Sequence, residues 1–144
     1  MRIYDDLVIE SSRDKLEEKL LDPDFPWYFV ERSSGAAPEI DGFKDCPQLV
    51  HSFIEEGTIF SNYIHEVMRL LNWENILKVT GAPERIIRMK TNLLLKTQNT
   101  PNTPHIDYPD PHIVMLYYVN DSSGPTTFYN KKFKVKKEVI PKKG

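Results

Sequence analysis

Residues 103–130 read TPHIDYPDPHIVMLYYVNDSSGPTTFYN and hold most of what the sequence indicates about fold and chemistry. The pair His105 and Asp107 comes first and precedes the unbroken apolar run Ile113–Val119. A run without polar alternation is typical of a strand that is covered on both faces. A turn rich in Asp, Ser and Gly follows, and Thr126–Tyr129 is again composed of β-forming residues. The segment therefore predicts two strands joined by a turn.

The polar pair at the start of this segment is a candidate metal site. Side chains two residues apart in a strand point to the same side, so His105 and Asp107 would present an imidazole nitrogen and a carboxylate oxygen together. Two histidines and one carboxylate form the facial triad of non-haem Fe(II) oxygenases, which leaves coordination positions open for a co-substrate and O2. We interpret the pair as two of these three ligands. The alternative is an exposed pair beside a proline-rich turn.

The flanking segments extend the β pattern in both directions. Arg85–Lys96 has the composition of a strand, and the polar residues 98–104 with their two prolines form a turn. Further along, Phe133 and Val135 alternate with lysines, as in a half-buried strand whose lysines protect a sheet edge.

The first half of the chain is predicted to be largely helical. The clearest helix runs from Thr58 to Leu71, because apolar residues recur there at helical spacing. This stripe comprises Phe60, Tyr63, Ile64, Val67, Met68 and Leu71. Trp73–Val79 is expected to extend the helix, and Gly81 with Pro83 is expected to end it.

An earlier helix is predicted to begin at Ser11, whose hydroxyl would cap it, and to end at Asp22-Pro23. Its apolar face would consist of Leu16, Leu20 and Leu21. The aromatic segment Phe25–Val30 is interpreted as extended and largely buried.

Two other parts of the first half carry weaker patterns. Residues 1–10 predict either a short strand or an arm that packs against the protein. Residues 31–47 predict a loop by their glycines and prolines, either a connector or a loop on the substrate side. Helices followed by antiparallel strands predict an α+β fold, with 1–144 as a single domain divided into a helical part, 1–83, and a strand part, 84–144.

The composition sets the class of protein. The chain has 144 residues, 40% of them hydrophobic and 28% charged, as is usual for a globular domain. The net charge of −2 gives no general attraction to nucleic acid or to an anionic membrane. No apolar run approaches the about 20 residues of a membrane-spanning helix. Cys46 has no cysteine partner in the chain, and the start of the sequence lacks the pattern of a signal peptide, so a cytoplasmic protein is expected.

Three motifs in this order resemble the Fe(II)/2-oxoglutarate-dependent dioxygenase superfamily, in particular its prolyl 4-hydroxylase-like branch found in phage and aquatic microbes. The motifs are Pro104–Asp107, Tyr118–Asp121 and Gly124–Phe128, and the whole match covers about residues 85–130. The resemblance implies N-terminal helices packed on a double-stranded β-helix, the jelly roll of cupin-like proteins. It also implies hydroxylation of a peptide or protein side chain, or of a small molecule.

The resemblance also implies roles for individual residues. His105 and Asp107 would bind Fe(II). Thr126 matches a threonine that contacts 2-oxoglutarate in this branch. Lys96, nine residues before His105, occupies the position of a tyrosine that often binds the co-substrate. A lysine there would meet a carboxylate as a point charge on a flexible stem.

Two parts of the family pattern are not found in this sequence. The family has a second metal-binding histidine, followed by an Arg or Lys that binds 2-oxoglutarate, whereas residues 130–144 contain no His and no Arg. The chain is therefore expected to be a C-terminally truncated, inactive fragment of a jelly roll that lacks its last strands. His112 is the nearest alternative ligand. Unpaired sheet edges would allow a homodimer.

Two other functions remain open. The first is a non-catalytic β-sandwich binding module or phage structural part, in which the His-x-Asp pair is incidental. The second is a nucleic-acid-binding domain that uses the lysines of residues 131–143. An exposed edge strand explains those lysines better, because no arginine and almost no aromatic residue accompanies them.

Overall fold

The computed structural model of the protein describes residues 1–35, 38–95 and 100–144. Helices and antiparallel sheets are both present, so the predicted α+β class is confirmed. The elements are, in chain order, α1 (Glu10–Leu20), β1 (Tyr28–Val30), β2 (Gln48–Glu55), β3 (Thr58–Ile59), α2 (Tyr63–Leu71), α3 (Trp73–Thr80), β4 (Met89–Leu94), β5 (Thr126–Tyr129) and β6 (Val135–Val139). β1 lies in the segment predicted to be extended, whereas β2 and β3 were not predicted within residues 1–83, the part expected to be helical.

The chain divides into two units. The sheet unit contains Pro26–Phe60 and Ile87–Val114, and therefore β1 to β4. The helical unit contains Met1–Phe25, Ser61–Ile86 and Met115–Gly144, and therefore the three described helices and the β5–β6 hairpin.

The sheet unit is built around β2, which the sequence analysis did not identify. β2 pairs antiparallel with β1, β3 and β4, and its register with β4 sets Leu49 opposite Leu93. Phe53 and Ile54 on β2 are buried. His51 is also buried, and its Nδ1 lies 2.8 Å from the carbonyl oxygen of Pro26. This bond satisfies a polar group inside a strand whose other neighbours are largely apolar.

A tight turn after β2 overturns the predicted start of the second helix. Glu56 and Gly57 both have positive φ, at 50° and 78°, as the two-residue turns that suit β-hairpins require. The chain therefore returns along β2 as β3, and the amide of Phe60 donates to the carbonyl of Phe53. The prediction of a helix from Thr58 was wrong, and Phe60 is exposed. The helix α2 begins at Tyr63.

The helical unit confirms three of the six residues of the apolar stripe predicted for α2. Ile64, Val67 and Leu71 are buried. Asn72 then adopts the left-handed conformation, with φ 51° and ψ 58°. This single residue interrupts the hydrogen-bond pattern, so α3 is a separate helix rather than an extension of α2, and it ends at Gly81 as predicted.

Helix α1 is confirmed with corrected details. It begins one residue earlier than predicted, with Ile9 as its N-cap, so Ser11 does not cap it. Leu16 and Leu20 are buried, whereas Leu21 is half exposed because the helix has already ended there. Val8 is buried before the helix, which agrees with an arm that packs against the protein.

Three further predictions about burial and strands were wrong or only partly right. Tyr28 and Phe29 are extended but exposed, so the aromatic segment is not largely buried. The predicted buried strand Ile113–Val119 is neither strand nor helix, and Ile113 is 69% exposed. Within the described residues no strand pairs with this run, and without a paired neighbour an apolar sequence has no ladder to join. β5 is confirmed, but its partner β6 is mostly exposed.

The last residues of the chain are tied to α1 within the helical unit. The Lys143 ammonium donates to Asp14, at 2.7 Å, and to Glu17. Its backbone amide donates to the Asp121 carboxylate at 2.8 Å.

Across the described ranges, no helix is both long and apolar enough to span a membrane.

Candidate functional site

An open cavity of about 230 Å³ lies in the sheet unit. The charged and hydroxyl-bearing side chains that line it include Arg32, Ser34, Arg88, Lys90, His105 and Asp107. They come from the loop after β1, from the start of β4 and from the segment that contains the predicted metal ligands. Both predicted iron ligands therefore face one cavity.

The segment that carries His105 and Asp107 is not a strand, so the expected β geometry was wrong. Pro101 and Pro104 interrupt it, and prolines cannot donate a hydrogen bond to a sheet. Instead, an adjacent loop holds it through three successive contacts. The carbonyl of Pro101 accepts from the Lys44 amide at 3.0 Å.

The other two contacts use side chains. Asn102 accepts from the Cys46 amide at 2.9 Å, and the Asp45 carboxylate accepts from the Thr103 amide at 3.2 Å. Thr103 is buried, so this last bond fixes a buried backbone group two residues before His105.

Asp45 is the most heavily hydrogen-bonded carboxylate near the cavity. Its side chain is 7% exposed and accepts from Ser33 Oγ at 3.1 Å, Ser34 Oγ, the Thr103 amide, and Arg32 Nε at 3.3 Å. Burial by itself would raise the pKa of Asp45, but the four hydrogen bonds outweigh burial and lower it. The sequence gives no signal for this cluster, because its members come from three separate segments of the chain.

Asp107 is engaged by Arg88. The guanidinium Nη2 of Arg88 lies 2.7 Å from the carboxylate Oδ1 of Asp107, and both side chains are about one-third exposed. A charge-assisted bond of this length is among the stronger side-chain contacts. A metal ion at Asp107 would have to compete with this cation.

His105 is positioned by a backbone carbonyl. Its Nδ1 lies 3.1 Å from the carbonyl oxygen of Thr103, which can only accept, so Nδ1 is the donor and Nε2 is the nitrogen that remains for a ligand. A histidine that donates its other nitrogen to a carbonyl is the usual arrangement at metal sites. His105 is exposed, so a metal ion could reach it from solvent.

Lys90 adds a further cation to the cavity. It lies on β4 opposite Ser52 and is half-buried. Burial is the main cause that lowers the pKa of Lys90, and the neighbouring charge of Arg88 lowers it further, while Asp107 and Glu55 oppose both effects. The sequence analysis did not single out Arg88 or Lys90, although their spacing of two on a predicted strand would place them on one side.

Thr126, predicted to contact 2-oxoglutarate, is not among the residues that line this cavity. Thr126 is on β5 in the helical unit, and its hydroxyl accepts from the Tyr118 hydroxyl at 2.8 Å. Lys96 lies outside the described residues. His112, the alternative ligand, is exposed, and its Nδ1 is 2.7 Å from the carbonyl of Asp110.

The fit of an iron ion to this cavity is incomplete. His105 and Asp107 offer the nitrogen and oxygen donors that Fe(II) accepts. Among residues 1–35, 38–95 and 100–144, however, no group of three or more His, Cys, Asp or Glu side chains could hold a metal ion. Within these described ranges, the His105 and Asp107 side chains fall short of the three ligands of a facial triad. Comparisons with family models, with characterised proteins and with solved structures find no match.

Proposed function

We propose that this chain carries the first two iron ligands, His105 and Asp107, of a non-haem Fe(II)/2-oxoglutarate-dependent oxygenase that hydroxylates a peptide or protein side chain. The observation that supports the proposal is that both side chains face one solvent-accessible cavity. The ordered motifs around Pro104–Asp107 and Gly124–Phe128 support it independently.

The proposal requires a third ligand that the described residues do not supply beside His105 and Asp107. A second histidine would complete the site, and the sheets would belong to a jelly roll, so the two ligands by themselves are proposed to be inactive. When bound, Fe(II) would supply the chemistry for C–H hydroxylation, with O2 as the oxidant and 2-oxoglutarate as the two-electron co-reductant that leaves as succinate and CO2. In this proposal Thr126 and Lys96 contact the co-substrate. Association of two copies through exposed sheet edges is part of the same proposal.

The chain's own residues have defined tasks in this scheme. The Thr103 carbonyl orients the imidazole of His105. Thr103 is itself held in place by the hydrogen bond from its amide to the Asp45 carboxylate. Arg88 already donates a charge-assisted hydrogen bond to the Asp107 carboxylate, so metal binding must replace one strong partner by another. With two protein ligands and this competition, we expect weak metal affinity.

The test is titration of the protein with Mn(II), an O2-stable substitute for Fe(II), by calorimetry. We expect saturable binding that His105→Ala and Asp107→Asn each weaken by about tenfold or more, by analogy with the effect of losing a ligand or its partner. His112→Ala is the matched control and should bind as the original does. Equal binding by all four proteins would refute the proposal.

A second function is favoured by one specific observation. The bond between Arg88 and Asp107 already uses the carboxylate, as expected if the cavity belongs to a non-catalytic binding module and the His-x-Asp pair is incidental. In that case Mn(II) would show no saturable binding, and Asp107→Asn would act on stability alone.

A further inference from the structure

Two cationic side chains, those of Arg88 and Lys90, line the cavity from positions two residues apart in the chain. Arg88 immediately precedes β4 and Lys90 is its second residue, so both side chains point to one side of the strand, and both line the cavity. Arg32 also lines the cavity, but it is bonded to the well-satisfied Asp45.

The surroundings of Lys90 disfavour its charged form. Lys90 is half-buried and is repelled by the charge of Arg88. One carboxylate, that of Asp107, is bonded to Arg88 by a single 2.7 Å contact. An added anion between Arg88 and Lys90 would offset both the burial and the repulsion.

We infer that Arg88 and Lys90 form a subsite for the carboxylate group of a small ligand, which Asp107 occupies when the ligand is absent. The observed bond shows the kind of group that this subsite accepts, because the Asp107 side chain is itself a carboxylate on a guanidinium. The subsite lies in the same cavity as the proposed iron site. The inference rests on the proposed function in one respect, namely that Asp107 binds the metal once it is released from Arg88.

The exchange couples two ligands. A carboxylate that takes over Arg88 releases Asp107 for a metal, and a metal that takes Asp107 frees Arg88 for a carboxylate. By thermodynamic linkage each ligand must raise the affinity for the other by the same factor. The cavity volume of about 230 Å³ suits a ligand of a few heavy atoms beyond the carboxylate.

The first experiment uses the full chain treated with EDTA, so that no metal contributes, and titrates it with succinate. We expect Arg88→Gln and Lys90→Met each to weaken binding by about tenfold, equivalent to ~1.4 kcal/mol. Asp107→Asn should strengthen binding several-fold, because it removes the internal competitor. Lys78→Met, an exposed change of the same charge in the helical unit, should leave binding unchanged.

Asp107→Asn separates the inference from a purely structural role for the ion pair. A structural pair predicts unchanged or weaker succinate binding in this variant, and either result would overturn the inference. Tighter binding of phosphate than of succinate would overturn the assignment to a carboxylate. Parallel titration with a capped Gly-Glu-Gly peptide distinguishes an acidic side chain from a free dicarboxylate as the source of the group, and binding of either supports the subsite.

The second experiment measures Mn(II) affinity with and without saturating succinate. An increase in affinity that Arg88→Gln abolishes supports the exchange. Mn(II) binding that depends on His105 but ignores succinate overturns the exchange and leaves the proposed function standing. Succinate binding with the expected variant pattern but no Mn(II) binding supports the subsite and refutes the iron proposal.

Discussion

Asp45 is predicted to be the residue whose loss most disturbs the candidate site without touching a ligand. Asp45→Ala removes the acceptor of four hydrogen bonds, and two of the donors, the Thr103 amide and the Ser34 hydroxyl, belong to buried residues. An unsatisfied buried donor costs about 1–3 kcal/mol, so the two together predict a loss of about 2–6 kcal/mol in the free energy of unfolding. The partly exposed Arg32 adds little, because solvent can replace its partner.

Urea denaturation followed by tryptophan fluorescence measures this loss, with Asp41→Ala as control. Asp41 is an exposed aspartate in the same loop, and its replacement should change the free energy of unfolding by less than about 0.5 kcal/mol. A loss below about 1 kcal/mol for Asp45→Ala, within the range of an ordinary surface change, would refute the reasoning that Asp45 holds the segment before His105.

The same carboxylate predicts a pH dependence with a defined sign. The pKa of Asp45 is lower in the folded protein than its ordinary value of 3.8, so the folded state favours the ionised form. The stability that this group contributes is therefore fully present above about pH 4 and is lost as the pH falls through the lowered folded pKa. The difference in stability between the original protein and Asp45→Asn should shrink in that acidic range. A difference that grows on acidification would show that the carboxylate is not stabilised by its donors.

Three other predictions follow from the fold. Phe53→Ala on β2 should lower the free energy of unfolding by about 3–5 kcal/mol, because Phe53 is 1% exposed. Urea denaturation measures this loss, and Phe60→Ala, at an exposed position, is the control. Lys143→Met removes the contacts to α1, so it should speed amide hydrogen exchange near Gly144 and leave exchange in the sheet unit unchanged. The same change in exchange rate in both units would contradict this. Light scattering after size exclusion should show a dimer fraction that grows with protein concentration, whereas a monomer at every concentration would contradict edge pairing.

Local patterns in the sequence located the helices but did not give all of their boundaries. The helical spacing of apolar residues predicts the buried stripe of Ile64, Val67 and Leu71. Gly81 indicates the end of α3, because glycine readily adopts the left-handed conformation found there. The start of α2 could not be read this way, because the apolar Phe60 has the correct helical spacing but its amide is used in the sheet.

Strands depended on partners that local patterns do not show. β2 was missed because polar residues such as His51 interrupt its apolar character, although His51 is buried and bonded to the Pro26 carbonyl. Ile113–Val119 was assigned to a strand on composition alone, yet the described chain gives this run no ladder partner. An apolar run becomes a strand only where other strands satisfy its backbone.

In the candidate site, too, local sequence patterns predict some of the residues and not others. The pair His105 and Asp107 was found from residue types and spacing. The groups that hold and oppose the pair, Asp45, Arg88 and Lys90, lie 15 or more residues away in the sequence and meet it through the fold of the sheet unit. No local motif specifies such a contact.

Calorimetric titration with Mn(II) of the original protein and of His105→Ala tests the central claim most directly. The account predicts saturable binding by the original, and binding at least about tenfold weaker when the imidazole at 105 is removed. Identical Mn(II) binding by both proteins, or no saturable binding by the original, would contradict the assignment of this cavity to a metal.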